Sequence, residues 1–349
     1  MSSSSGQLRA LLIGFGNVGR QLARIVTLER EQFPNLQDLE LSVVAVLTAS
    51  RGSLANPTGV DLTRALYEIE SEGRFSNLNP EFRGLHSMEA IEALDYDVLV
   101  ELSTLNIEES GNPALSYIEE ALSRGKHCVT ANKGPIAFAY SDLVVLAEAQ
   151  DCALLFESTV MDGAPIFSVG REGLKGSEIL ELEGILNSTT NFVLSRMELG
   201  DSASQAVRLA QELGFAEADP NYDLEGWDAA VKICILANVL MGANLTPFDV
   251  EREGITTLTQ RDIVATLKRG QHLKLVCRAW RELSVVRAEV QVRPVAHESL
   301  FGLTSGSASA LRISTDLMGP ITICQEEPTP YDTAYGVLSD LILVSTLPR

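Results

Sequence analysis

Apolar and polar positions divide the chain into two stretches with different rhythms. In the first, short apolar runs alternate with amphipathic ones. Leu8–Ile13 is a compact apolar run of the kind that forms a strand buried on both faces, and residues 39–47, 97–102, 126–130 and 153–156 repeat it. Helical spacing follows the first run at Val18, Leu22, Ile25 and Val26, and returns over 113–124 and 140–150. Strands alternating with helices predict a parallel sheet covered on both sides. The segment 56–83 is more polar and reads as an excursion between the second and third strands. After about residue 157 the rhythm changes. A weak alternation over 178–186 predicts a strand, and helices are expected over 190–197, 202–213 and 224–241. Val- and Leu-rich runs over 273–295, with 308–313 and 320–324, predict a largely antiparallel sheet. Residues 331–344 read as a closing helix.

Gly14-Phe15-Gly16-Asn17-Val18-Gly19 joins the first strand to the first helix as GxGxxG. The first glycine permits the tight turn, the second lets backbone approach a pyrophosphate, and the third lets helix and strand pack closely. Gly14, Gly16, Asn17, Val18 and Gly19 are therefore candidate dinucleotide contacts, with Thr104, after the third strand, as a further one. The expected fold is α/β. A Rossmann-type parallel-sheet domain spans 1–155 and is completed by a C-terminal helix in 326–349. An α+β domain with a mainly antiparallel sheet spans 156–325. At the end of the second strand the chain reads Leu47-Thr48-Ala49-Ser50-Arg51-Gly52-Ser53. No acid stands there for the ribose hydroxyls of NAD, whereas Arg51 with Ser50 or Ser53 suits a 2′-phosphate. NADP is the expected cofactor, with NAD as the alternative.

Charge narrows the partners. Twenty-seven Lys plus Arg against 47 Asp plus Glu leave the 349 residues at −20. Such a surface repels phosphate backbones and anionic lipids, so neither nucleic acid nor membrane is an expected partner. An anionic cofactor must then be held by backbone amides, as at a helix N-terminus, or by single cations. No apolar run reaches the roughly 18–20 residues of a membrane span, and the Ser-rich start does not resemble a secretory signal. Cys128, Cys152, Cys234, Cys277 and Cys324 all fall in apolar stretches without a CxxC. They read as buried reduced thiols of a cytoplasmic protein. None of the four histidines joins a cluster with zinc spacing.

The richest chemistry lies between Gly214 and Lys232, where several acids precede one lysine. Asp219-Pro220 bars helix locally. A helix running from Asp223 places Asp228 and Lys232 at i and i+4 on one face. A lysine in so apolar a helix either reaches to the surface as an exposed ion pair or is held by a partner. If held, Asp228 would set Lys232 as a proton donor to a developing alkoxide.

This stretch, Gly184-Ile185-Leu186-Asn187-Ser188-Thr189-Thr190-Asn191 before it, and Gly125-Lys126-His127-Cys128-Val129-Thr130-Ala131-Asn132-Lys133 together resemble homoserine dehydrogenase over residues 8–345. The similarity is to short, single-function members, so feedback by threonine through a C-terminal regulatory domain is not expected. The resemblance implies reversible NAD(P)H-dependent reduction of L-aspartate 4-semialdehyde to L-homoserine, on the route to threonine and methionine. It implies Lys232 as general acid/base supported by Asp228. It further implies Lys133 as a second active-site lysine, near the reacting carbon and the cofactor. It implies Glu217 and Asp223 as substrate-binding carboxylates and Asn187 as a hydrogen-bonding partner of substrate, the alternative for Asn187 being a turn residue satisfied locally. It also implies a homodimer formed through the second domain's sheet. In the family a glutamate and loop carbonyls hold a monovalent cation such as sodium; Glu157 and Val160 match that loop, while Met161-Asp162 departs from it. Gln325-Glu326-Glu327 also departs, standing where many members have a glycine-rich turn, and acids near a cofactor phosphate oppose binding. Two other functions compete: a related oxidoreductase acting on another small amino or oxo acid, and a non-catalytic dinucleotide-binding regulator. A regulator has no need of Glu217, Asp223, Asp228, Lys232 and Lys133 together.

Overall fold

A computed structural model describes residues 7–36, 39–76, 84–214, 216 and 219–347. The chain forms two compact units, 1–163 with 329–349, and 164–328.

The first unit is built on strands β1 (Leu8–Ile13), β2 (Leu41–Leu47), β3 (Ser53–Ala55), β4 (Val98–Glu101), β5 (His127–Thr130) and β6 (Leu154–Leu155). They lie in the order β3-β2-β1-β4-β5-β6. Every pairing is parallel except that of β3 on β2. Strand order reverses at β1, between β2 and β4, the position at which open parallel sheets bind ligands beyond their carboxyl ends. The helices are α1 (Asn17–Val26), α2 (Leu62–Glu72), α3 (Ser87–Ala93), α4 (Ala114–Ser123), α5 (Lys133–Ala149) and the terminal helix Pro330–Ser345. Leu22, Ala23 and Ile25 of α1 share one core with Val337, Leu341 and Val344 of the terminal helix and with Leu8, Ala10, Leu12, Val43 and Val100 of the sheet. Each large apolar side chain so buried contributes about 1.5–3 kcal/mol relative to exposure.

Strand β3 and helix α3 are additional to the pattern in the sequence, and two further helices depart from it. Helix α5 begins at Lys133 rather than near 140. Asn132 caps it by accepting the Gly134 N–H, and Pro135 sits in the first turn, where no N–H is needed. Ala139 departs from helical geometry (φ −142°, ψ 22°), which explains why the periodicity is legible only beyond it. The polar excursion contains helix α2, capped by Asp61 and closed by left-handed Gly73, whose Leu62, Ala65, Leu66 and Ile69 are buried.

The second unit holds β7 (Ile179–Ile185), β8 (Glu251–Arg252), β9 (Gln271–Glu282), β10 (Val285–Ala296), β11 (Ser309–Thr315) and β12 (Ile321–Gln325), ordered β12-β11-β7-β9-β10-β8. All pairs are antiparallel apart from β8 on β10. Its main helices are α6 (Ser188–Glu198), α7 (Ala203–Glu212), α8 (Asn221–Leu224), α9 (Trp227–Met241) and α10 (Gln260–Leu267). Register puts Leu182, Gly184, Cys277, Ala279, Ala288, Val290, Leu311 and Ile313 on one sheet face, and all are buried. The opposite face carries Glu181, Glu183, Arg278 and Glu289, laced by Arg278–Glu181 (2.5 Å) and Arg293–Glu183 (3.7 Å) ion pairs. Thus the apolar residues of 273–295 and 308–313 largely face the helix-covered side, rather than forming an apolar outer surface.

The expected helix over 224–241 is divided at Gly226, which is left-handed (φ +81°); a β-carbon there would sit 2.6 Å from the Glu253 carbonyl oxygen. The Arg252 guanidinium stacks 3.8 Å over the Trp227 ring and donates to the Glu225 carbonyl, locking this break. Three of the five cysteines are buried; Cys152 is half-buried and Cys324 exposed. Cys324 lies on β12, an edge strand whose alternate residues face solvent, and this corrects the expectation of five buried thiols. No helix among the described residues is long and apolar enough to cross a membrane.

Candidate active site

The glycine-rich turn joins β1 to α1. A β-carbon on Gly14 (φ +94°) would lie 2.5 Å from the Leu102 carbonyl, and one on Gly19 would lie 2.7 Å from the Gly14 carbonyl oxygen. One on Gly16 would meet nothing within 4 Å. Packing therefore demands the outer two glycines, and the middle one faces open space. Gly16 precedes α1 without a capping side chain, so the helix presents its first amides outward beside Asn17. Val18 packs inward on the core. Arg20 donates to the Gly16 carbonyl (3.2 Å) and to the Asn17 side chain (2.8 Å), adding a cation that the sequence reading passed over. This constellation fits the phosphates of a dinucleotide.

Beyond β2, Thr48 receives the Arg51 N–H at 2.9 Å and binds the Gly52 carbonyl at 2.8 Å, closing a tight turn. Arg51 and Ser50 are exposed on it, whereas Ser53 is buried within β3. Ser50 is thus the hydroxyl available beside Arg51. Beyond β4 and β5, the exposed Thr104 offers its carbonyl to the Asn132 amide at 3.4 Å, and Lys133 opens α5 half-buried. Beyond β6, Glu157 and Val160 are both buried. The Glu157 N–H binds Asp340 at 2.9 Å. Met161 (φ 53°) and Asp162 (φ 58°) are left-handed, and Asp162 accepts the Thr333 hydroxyl at 3.1 Å. The unusual Met-Asp pair therefore anchors this loop to the terminal helix. No group of three or more His, Cys, Asp or Glu side chains suited to a metal occurs among the described residues.

In the second unit three elements bring four expected residues together. Asn187 caps α6 by accepting the Thr190 N–H at 2.7 Å. Its amide donates to Asp223 of α8 at 2.7 Å and to Asp228 of α9 at 2.9 Å. Asp228 pairs with Lys232 at 2.8 Å, and the Lys232 ammonium also donates to the Leu186 carbonyl at 2.8 Å. The Lys232 side chain is only 15% exposed, so this is a held lysine and not a surface ion pair. Burial, then the neighbouring Asp228 charge, push the Asp223 carboxyl above its ordinary range, against the hydrogen bond from Asn187 and the Lys232 charge. Glu217 lies outside the described residues.

A second buried lysine escaped the sequence reading. Lys274 of β9 is 1% exposed and donates to the Asn191 side chain at 2.8 Å and to the Thr304 carbonyl at 2.7 Å. Burial pushes its pKa down to about 8, against the Glu198 charge.

Comparison with known proteins bears on both units. A profile of homoserine dehydrogenase matches residues 165–342, and one of the homoserine dehydrogenase NAD binding domain matches 14–157. Homoserine dehydrogenase of Methanocaldococcus jannaschii is 35% identical over 333 residues, covering 95% of this chain and 97% of that protein. The NAD(+)-dependent homoserine dehydrogenase of Pseudomonas canavaninivorans is 35% identical over 337 residues, 96% of each. Among solved structures, homoserine dehydrogenase from Thermoplasma acidophilum superimposes with a TM-score of 0.83 at 28% identity, covering 98% of this chain and 100% of that one. A hyperthermophilic archaeal homoserine dehydrogenase in complex with NADPH gives 0.81 at 30% identity, covering 98% and 99%. These matches span nearly the whole chain and set aside the non-catalytic regulator: the chain belongs to the homoserine dehydrogenase family, and is an NAD(P)-dependent oxidoreductase.

Proposed function

We propose that Lys232 carries the proton in the interconversion of L-homoserine and L-aspartate 4-semialdehyde. The observation that carries this reading is the Lys232 ammonium, fixed at 2.8 Å from both the Asp228 carboxylate and the Leu186 carbonyl. Two fixed acceptors orient the ammonium, and water has little access to it. A bound nicotinamide supplies or accepts the hydride. The residues of this chain supply the rest. Lys232 donates a proton to the substrate oxygen as negative charge develops there, and in the reverse direction its neutral amine takes that proton back from the hydroxyl. Asp228 keeps it charged and oriented. Asp223, with Glu217, offers carboxylates to the substrate ammonium, and Asn187 holds Asp223 and Asp228 in register. Lys133 serves the reacting end.

For the cofactor, Gly14, Gly16, Asn17, Val18 and Gly19 line the pyrophosphate, with Arg20 beside them, and Thr104 contacts the nicotinamide half. Arg51 and Ser50 at the β2 turn support NADP as the preferred form. The NADPH-bound structural relative favours the same choice, and the NAD(+)-dependent relative keeps NAD as the alternative. A monovalent cation such as sodium at Glu157 and Val160 is part of the proposal, supported by the burial of the Glu157 carboxyl. A homodimer through the charged face of the second sheet, and a cytoplasmic role in threonine and methionine synthesis, complete it.

The test follows absorbance of the reduced nicotinamide with L-homoserine and either cofactor. Turnover with a higher kcat/KM for NADP is expected, and Arg51→Ala should raise KM for NADP while leaving that for NAD unchanged. Folded protein giving no signal with either cofactor at alkaline pH would overturn the reading.

A further inference from the structure

Glu101, the last residue of β4, is completely buried. A carboxylate without water is costly, and an apolar residue there would stabilise a parallel sheet better. Its surroundings are nonetheless built from donors. The Ser103 N–H donates to Oε1 at 2.9 Å, and the Thr130 hydroxyl lies 3.2 Å from Oε2 and 3.0 Å from the Glu101 carbonyl. The side chains of Ser103 and Asn132 add to them. Burial pushes this carboxyl's pKa up, and those four donors hold it down. Ser103 and Asn132 belong to the loops after β4 and β5, and Thr130 is the last residue of β5, beside Glu101 in the sheet. Thr130 also receives the Asn132 N–H at 2.9 Å, and Asn132 caps the helix that Lys133 opens. The Asn132 amide returns to the Thr104 carbonyl at 3.4 Å. Gly14 packs directly on Leu102 and Ser103.

We propose that Glu101 is a positioning residue, a buried hub that ties together the loops after β1, β4 and β5 and thereby sets Thr104 and Lys133. The inference rests on the reading of Thr104 and Lys133 as residues of the reacting end. Glu101 itself touches no ligand; it acts through its neighbours.

Glu101→Gln keeps the shape and the acceptor for Ser103 but replaces the second oxygen with a donor facing donors. A misplacement of about 1 Å costs up to ~100-fold in rate. The variant should still fold and should lose at least ~10-fold in kcat/KM. In a Lys133→Ala background the same substitution should cost several-fold less than in the parent, because only Thr104 is then left for it to misplace. If Glu101→Gln does not fold, Thr130→Val cuts the same tie from β5 and should show the same dependence on Lys133. Parental kinetics for Glu101→Gln alongside an impaired Lys133→Ala would overturn the inference, as would equal losses in both backgrounds. Full activity of Lys133→Ala would instead overturn the reading beneath it.

Discussion

Asp228 and Lys232 meet at 2.8 Å one turn apart on a helix whose other inward positions are apolar apart from Asn238. A buried pair of this kind is a poor source of stability, because desolvating both charges offsets most of their attraction. Its persistence here fits a lysine that must stay protonated and aimed.

Lys232→Ala should therefore lower kcat by about 10²–10⁴-fold, the usual contribution of a placed acid/base. Cofactor affinity, read by fluorescence titration, should stay within about 2-fold, since a proton-transfer defect leaves uniform binding intact. Loss of cofactor binding in the folded variant would give Lys232 a structural role instead.

Asp223→Asn should separate stability from activity. Burial and Asp228 raise the Asp223 pKa, so the fold prefers the protonated form, and that stability is lost as pH rises through the raised value. At neutral pH the ionised group is a burden. The asparagine variant, still able to accept from Asn187, should melt a few degrees higher at pH 7–8 and match the parent near pH 4. Its KM for L-homoserine should rise about 10–100-fold through the lost charged contact. A lower Tm at neutral pH would contradict this account.

The glycines of the first turn should respond differently to one methyl group. Gly16→Ala faces open space, so its Tm should equal the parent's while NADP binds at least ~10-fold more weakly, as a steric block in the ligand's place would produce. Gly14→Ala combines positive φ with a contact to Leu102 backbone and should lose on the order of 1–3 kcal/mol of stability. Melting curves with and without cofactor distinguish the two, and unaltered NADP affinity in Gly16→Ala would argue that the turn does not meet the cofactor.

Lys274 makes stability depend on alkaline pH. Its pKa is pushed down to about 8 in the fold against 10.5 for an ordinary lysine, so between these values the unfolded chain binds more protons. Stability should rise with pH across that window, by up to about 3 kcal/mol, and Lys274→Met should lack the slope. Urea melts at pH 7.5 and 10 measure it; parallel changes in both proteins would exclude Lys274 as the source.

Five of the six strands of the first unit are legible in the sequence because strands buried on both faces are short apolar runs bounded by turn residues; β3, a three-residue edge strand, is too short to show. Helix α2 is not legible, because its buried Leu62, Leu66 and Ile69 are diluted by exposed polar neighbours. The Asp228–Lys232 pair is legible because helical spacing alone puts the two on one face. Asn187 binding both Asp223 and Asp228 is invisible beforehand, since it joins positions 36 and 41 residues apart. Glu101 and Lys274 were missed for a common reason. A charged residue in a strand ordinarily marks the solvent side, and only tertiary packing reveals that these two are sealed inside.

The terminal helix has a consequence for how the molecule is made. Its Val337, Leu341 and Val344 complete a core begun by Leu8, Ala10 and Leu12, so the first unit needs segments from both sides of the second. The second unit is one continuous segment, 164–328. During synthesis the interior segment is delivered whole, while the nucleotide-binding half waits with an apolar flank uncovered until the helix Pro330–Ser345 emerges. Chains halted near residue 328 are thus expected to carry a finished second unit and an aggregation-prone first one, an ordering that limited proteolysis of stalled chains would reveal.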